Sequence, residues 1–259
     1  MKNIIKNLIR LLINPIIIEH TDKLQKEINT IYSEIHPQIF TSKNYRLEVS
    51  KNPRKNFNSF DFCNLFRGDE NFIKERHKFY LRFFSGRKNI LDVGCGRGEL
   101  LELLRDKKIP AQGIDSDPKM VNICKKRGLN VIRGDVIFFL EKTENNKFGG
   151  IFAAQVIEHL DFNTLLTFLN LSLKKIIADG LIIIETINPH CFPALKLFHV
   201  DPTHKNPLFP ESIKFIFESI GFKNVRIIYL HPIYPKLAAV SENQSDCFNY
   251  ADYAAIGYK

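Results

Sequence analysis

The sequence predicts an α/β fold, a doubly wound Rossmann-like sheet that is mostly parallel, with an antiparallel carboxyl-terminal strand and a helical extension in front. Three observations carry this expectation. From Asn89 onward short apolar runs alternate with helical stretches, a glycine turn follows the first run, and an aspartate closes each of the next two. Alternation of this kind builds βαβ units, whose crossovers pack helices on both faces of a parallel sheet.

At the amino terminus, "KNIIKNLIRLLIN" places Ile4, Ile5, Leu8, Leu11 and Leu12 on one side of a helix and Lys2, Lys6 and Arg10 on the other. The charges and Pro15 interrupt the apolar run, and no small-residue cleavage site follows. Neither a signal peptide nor a spanning helix is therefore expected. Residues 1–20 suit a helix lying in the interface of the inner membrane face; the same apolar side suits packing on the core or on a partner, including a second copy of the chain. Beyond Pro15, Leu24, Ile28, Ile31 and Ile35 form a short coiled-coil-like seam. Thr41 to Asn58 is polar, with Pro53 among several Lys, Arg and Asn, and reads as a linker. The expected division is 1–58 for extension and linker and 59–259 for the main domain.

In the main domain, strands are expected at "NILDV", "AQGID", "NVIRGD", "GGIFAAQ" and "LIIIET", with helices beginning near Glu99, Asp117, Val136, Asn163 and Leu173. The end differs. "VRIIYL" and "YADYAAIGYK" have no helix between them, so they are expected to pair antiparallel at the sheet edge.

The stretch "LDVGCGRGELLELL" runs the first strand through Gly94, Cys95, Gly96 and Gly98 into a helix. Glycines allow the sharp turn and a close approach of ligand to backbone, and the helix start offers unpaired N–H groups. A dinucleotide fingerprint wants G-x-G-x-x-G, but here the third glycine arrives one position early. A Walker loop needs Gly-Lys-Ser/Thr, which is absent. Asp115 ends the second strand, where a carboxylate can accept from both hydroxyls of a ribose. Asp117 precedes Pro118 and is the better helix cap, which leaves Asp115 for a ligand. Asp135 ends the third strand, where it can accept from the exocyclic amine of adenine; a surface turn is its ordinary alternative.

Together, "LDVGCGRGELLELL", "GIDSD", "GDVIFFL" and "FGGIFAAQVIEHL" resemble class I S-adenosylmethionine-dependent methyltransferases in order and spacing, from about Phe60 to the carboxyl terminus. The resemblance implies S-adenosylmethionine as cofactor and S-adenosylhomocysteine as product. It further implies that Gly94 to Gly96 contact the methionine part, Asp115 the ribose, Asp135 with Val136 the adenine, and that Gln155 lies near the methionyl end. Asp92, Cys95 and Ser116 complete the expected cofactor set, together with Arg67 at the helix start "FRGDE".

A narrower likeness rests on "FRGDENFIKERHKFY", "AAQVIEHL", "ETINPH" and "DPTHKNPLFPESIKFIFESIGF". These segments look like the methyltransferase part of the bacterial O-antigen chain-terminating methyltransferase/kinase family and its stand-alone relatives. That likeness implies a glycan or lipid-linked saccharide acceptor, methylated on a sugar hydroxyl or a terminal phosphate. The chain ends at Lys259, just after the last predicted strand, so no kinase is expected.

A sulfonium methyl is already activated, so alignment and water exclusion are the main tasks and no metal is required. A phosphate oxygen needs cationic binding groups, whereas a hydroxyl benefits from a placed base. His159 beside Glu158, and His204 with Asp201 in "DPTHK", are the acceptor-side candidates. Their ordinary alternatives are a residue orienting the following helix and a side-chain-stabilised turn. Lys74 and Arg76 are further basic candidates on the helix after Arg67.

The five cysteines are scattered without metal-ligand spacing, which fits a reducing, cytoplasmic setting. A formal charge of +9 comes without an aromatic-plus-basic RNA motif, so nucleic acid is not expected. The alternatives are a methyltransferase of a small metabolite such as a quinone-like phenol, and a non-catalytic binding protein on the same fold. An NAD-dependent dehydrogenase is disfavoured by the glycine spacing.

Overall fold

The computed structural model describes residues 68–234 and 237–259, and Lys26 as a helical residue. The expected amino-terminal helix, the seam, the linker and Arg67 lie outside the described residues. The chain divides into Met1–Asn56 and Phe57–Lys259, and the elements of the sheet all belong to the second unit.

Apolar runs without polar alternation become the central strands. β1 (Ile90–Val93) and β4 (Phe148–Ala154) are buried along their whole length, as strands covered on both faces must be. They are joined by β2 (Ala111–Asp115), β3 (Val131–Arg133), β5 (Ile176–Ile187), β6 (Lys223–Pro232), β7 (Val240–Ser241) and β8 (Tyr250–Tyr258) in the order 3-2-1-4-5-8-6-7. The pairs joining β3, β2, β1, β4 and β5 are parallel, and β8 is antiparallel to both β5 and β6. β6 and β8 thus pair as expected, but β8 is not at the edge. Tyr253, Ala254, Ala255 and Ile256 of β8 are all fully buried, which an edge strand could not achieve, and the last strand inserts between β5 and β6.

The helices are α1 (Glu70–His77), α2 (Leu81–Phe84), α3 (Glu99–Asp106), α4 (Pro118–Lys126), α5 (Val136–Lys142), α6 (Phe162–Lys175), α7 (Phe192–Phe198) and α8 (Pro210–Ile220). Asp69, Asp117, Asp135 and Asp161 cap four of them, each accepting from a backbone N–H of the first turn. Leu140, Leu165, Phe168, Ile213 and Phe217 pack α5, α6 and α8 with Leu91, Val93, Ile151 and Ala153. Tyr80, Phe84, Leu100 and Leu104 pack with Ile90, Phe152 and Ala154 in a second cluster. Successive residues of β1 and β4 thus serve opposite faces, as the period of two requires.

No separate helix begins at Leu173. The stretch from Phe162 to Lys175 holds no Gly or Pro, so α6 runs through it, and β-branched Ile176 and Ile177 start β5 directly. The strand order reverses between β1 and β4, which puts the glycine turn at the switch point where ligands of open α/β sheets bind.

Candidate active site

The glycine turn leaves β1 through three left-handed glycines, Gly94 (φ 63°), Gly96 (φ 52°) and Gly98 (φ 86°). A Cβ on Gly94 would stand 2.5 Å from Val156 Cγ2, so glycine lets the loops after β1 and β4 approach. A Cβ on Gly96 would meet nothing nearer than 4.0 Å. Gly96 lines a cleft with Asp92, Gly94, Cys95, Arg97, Glu99, Met120, Phe152 and Ala154, roofed by Ile73 and His77 of α1. The bare backbone there is a cradle that a side chain would fill.

Polar ties hold α1 over the turn. Arg97 donates to the carbonyl of Gly68 at 3.1 Å, Arg127 pairs with Glu70 at 2.8 Å, and Lys74 pairs with Glu102 of α3. Lys74 is thus engaged in the scaffold. Arg97 is itself buried and paired with Glu99 at 2.6 Å.

Asp115 accepts from the N–H of Gly96 at 2.9 Å and of Asp117 at 2.8 Å, one through each carboxylate oxygen. These bonds aim the carboxylate along the turn, and each oxygen keeps further acceptor capacity for a hydroxyl. Asp117 caps α4 by accepting from Lys119 N, as expected. Of the expected cofactor set, Asp92, Gly94, Cys95 and Gly96 meet in the cleft, and Asp115 is bonded to its floor. Ser116 is exposed beside it. Asp135 caps α5 through Phe138 N, with Val136 as the first helical residue. Cys95 bonds with the Cys124 thiol, and that contact and burial push its pKa up, so it remains a neutral packing group.

Gln155, directly after β4, has φ 56°, uncommon for a side-chain-bearing residue. Its amide turns inward and donates to Asp252 at 3.1 Å. Asp252 on β8 also takes Arg76 at 2.5 Å and Nδ1 of His231 at 2.7 Å. His231 too has a positive φ, 59°. Burial pushes the Asp252 pKa up, yet Arg76 first and then His231 and Gln155 outweigh it and hold it at about 2. An ionised Asp252 requires a proton on Nδ1 of His231, so Nε2 is the accepting atom of a neutral ring. Alongside, the Tyr80 phenol bonds to Glu185; burial and the Glu185 charge push the phenol well above its usual value, so it donates. Tyr80 and Glu185 fall inside the segments "FRGDENFIKERHKFY" and "ETINPH" without a role being expected of them, and His231 and Asp252 lie in no motif. A lone carboxylate inside an apolar strand, as in "LIIIETI" and "YADYAAI", is the signal that could have found two of them.

The acceptor-side candidates also converge. A single-turn 3-10 helix, Ile157–His159, follows β4, and its Glu158 carbonyl accepts from Lys205 N at 2.8 Å. That bond joins it to the loop that follows α7. His159 and His204 then face each other with ring centroids 4.6 Å apart. Thr203 links His159 Nδ1 at 2.9 Å with Asp201 at 2.6 Å. Burial pushes the Asp201 pKa up, but hydrogen bonds from Thr203 outweigh it and keep the carboxyl below its usual range. The Asp201 turn and a polar cluster therefore coexist.

A reversed strand order with a glycine cradle and a ribose-type carboxylate defines an α/β enzyme built around a nucleoside cofactor. Likeness to known proteins makes the class specific. The structure superposes on a SAM-dependent methyltransferase from Archaeoglobus fulgidus with TM-score 0.71 and 33% identity, over 77% of this chain and 99% of that one. The chain belongs to the S-adenosylmethionine-dependent methyltransferases, with S-adenosylmethionine as cofactor. The same fold is shared by a possible histamine N-methyltransferase from Thermotoga maritima, at 17% identity over 77% and 94% of the two chains, TM-score 0.60. A phosphoethanolamine N-methyltransferase 2 from Haemonchus contortus, in complex with S-adenosyl-L-methionine, shares it at 14% identity over 80% and 61% of the two chains, TM-score 0.53. A family described as methionine biosynthesis protein MetW matches residues 74–178. Among curated proteins none matches the chain.

Proposed function

We propose that this methyltransferase transfers the methyl group to an oxygen of a surface-glycan sugar or of its terminal phosphate. The observation that carries this reading is the mixed polar and aromatic character of the surface beyond β5. Phe192, Phe209 and Phe248 are exposed, and His190 sets its ring edge against the latter two at 5.1 and 5.8 Å. Glu211 holds the same imidazole at 2.9 Å. Exposed aromatic faces beside fixed hydrogen-bonding groups suit a saccharide, whose rings offer apolar C–H faces and polar edges. The "DPTHK" likeness points the same way.

When bound, S-adenosylmethionine supplies a methyl already activated on a sulfonium. Gly94 to Gly96 offer backbone to its methionine part and Asp115 takes the ribose hydroxyls. His159 and His204 lie on the acceptor side of the site. A phosphate oxygen carries no proton that must leave; a sugar hydroxyl loses its proton to Nε2 of His231, which Asp252 orients. Among the described residues no helix is long and apolar enough to cross a membrane. Docking on the inner membrane face is assigned to residues 1–20.

The test is mass spectrometry of products from lipid-linked glycans and small phenols offered side by side. Methylated glycan supports the reading, and methylated phenol alone replaces it. His231→Gln separates the acceptors, since it slows transfer to a hydroxyl and spares transfer to phosphate. Flotation with anionic liposomes that persists after removal of residues 1–20 refutes the docking assignment.

A further inference from the structure

We propose that Glu158, His159 and His204 bind a divalent transition-metal ion on the acceptor side of the cofactor. Motif spacing in the sequence gives no hint of it, because the ligands come from two loops. One donor atom of each residue lies within 4.8 Å of the other two, close enough for one ion to gather them.

The hydrogen bonds around the rings favour this use. His204 Nδ1 lies 2.7 Å from the carbonyl of Phe198, which can only accept, so Nδ1 carries the proton. The Thr203 hydroxyl has one proton and gives it to Asp201 at 2.6 Å. Its oxygen therefore accepts from His159 Nδ1 at 2.9 Å. With the proton on Nδ1, a neutral imidazole keeps its lone pair on Nε2 for an ion; in His204 that nitrogen also lies 3.9 Å from Asp201 Oδ2, which adds negative charge beside the site. An oxygen acceptor behind each imidazole is the arrangement that orients metal-ligating histidines and raises their basicity. Glu158 is 1% exposed and adds the negative charge that a dication needs. The bond from Lys205 N to the Glu158 carbonyl, 2.8 Å, holds the two loops together without an ion.

A second cluster among the described residues, Glu185, His231 and Asp252, is gathered just as closely. There, Arg76 already supplies the positive charge and Tyr80 already donates to Glu185. It is the weaker candidate for that reason. Two imidazoles and one carboxylate, without thiolate, suit Mn2+, Fe2+ or Zn2+ rather than Ca2+. Three protein ligands leave positions open for acceptor oxygens, and an ion there would hold a phosphate or lower the pKa of a hydroxyl. That role rests on the glycan reading; the ion site does not.

The experiment strips the full-length protein with chelator and titrates Mn2+ or Zn2+ by calorimetry, with Co2+ absorption as the spectroscopic readout. About one ion per chain is expected, with His159→Ala and His204→Ala each weakening binding about 100-fold and Thr203→Val roughly tenfold. S-adenosylmethionine binding, measured on each variant, reports that the fold is intact. The proposal is overturned if the stripped wild type binds no ion, or if the histidine variants bind it unchanged. It is equally overturned if His231→Gln abolishes binding and they do not. Ion binding without methyl transfer to any glycan would leave this site standing and sink the acceptor reading instead.

Discussion

Asp115 joins the second strand to the glycine turn through the N–H of Gly96, so its replacement loosens the cradle along with the proposed ribose contact. A hydrogen bond to a charged group contributes about 2 kcal/mol, and Asp115→Ala is expected to weaken S-adenosylmethionine binding roughly thirtyfold or more by calorimetry. Unchanged affinity would remove Asp115 from the site. Gly94→Ala acts differently, through a Cβ 2.5 Å from Val156 and a φ of 63°. It is expected to cost about 2 kcal/mol in urea unfolding, from strain and overpacking together. The positions of Asp115 and Gly94 and the Asp117 cap were legible in the sequence because they depend on local backbone geometry. The partners of Gln155 were not, since Asp252 lies far along the chain and meets it only through the sheet.

Among elements, β5, β6, β8 and the residue after β4 each deliver one polar side chain to the buried network, and α1 adds Arg76. The Asp252 carboxyl, held at about 2 against an ordinary 3.8, is ionised in the folded state. Its folded pKa lies below the unfolded one, so the stabilisation is fully present above about pH 4 and is lost as pH falls toward 2. The difference amounts to roughly 2 kcal/mol and is measured as the change in urea midpoint between about pH 5 and about pH 2.5 for wild type against Asp252→Asn. The Asn variant should lose the acid sensitivity of this group. At about pH 7 it should be about 3 kcal/mol less stable, because Arg76 is left in a buried setting without its carboxylate. Of the helix starts, that at Asp117 was readable as a cap, whereas the capping roles of Asp69, Asp135 and Asp161 came from the structure. The continuity of α6 through Leu173 was not readable either, since the start of β5 depends on pairing with β4.

At the scale of the molecule, the sheet brings the turn after β1 and the loops after β4 and β5 to one carboxyl-end surface. A cleft preformed in this way predicts linkage between cofactor and unfolding. At a free S-adenosylmethionine concentration about 100 times Kd, stability rises by about 2.7 kcal/mol. For a domain of this size that raises Tm by roughly 5–10 °C in scanning calorimetry. A Tm that ignores the cofactor contradicts a preformed site.

By itself the sequence determined the βαβ alternation, the glycine turn with Asp115 at the end of the next strand, and the Asp117 cap. All of these follow from interactions within a few residues or from hydrophobic period, which a linear chain displays. Only the tertiary structure decided that the last strand inserts between β5 and β6, that Asp252 gathers Arg76, Gln155 and His231, and that His159 meets His204. The bond from His159 to Thr203 spans 44 residues and the one from Gln155 to Asp252 spans 97. Contacts of that range form only once the strand order is set, which a charged residue in an apolar run signals but does not specify.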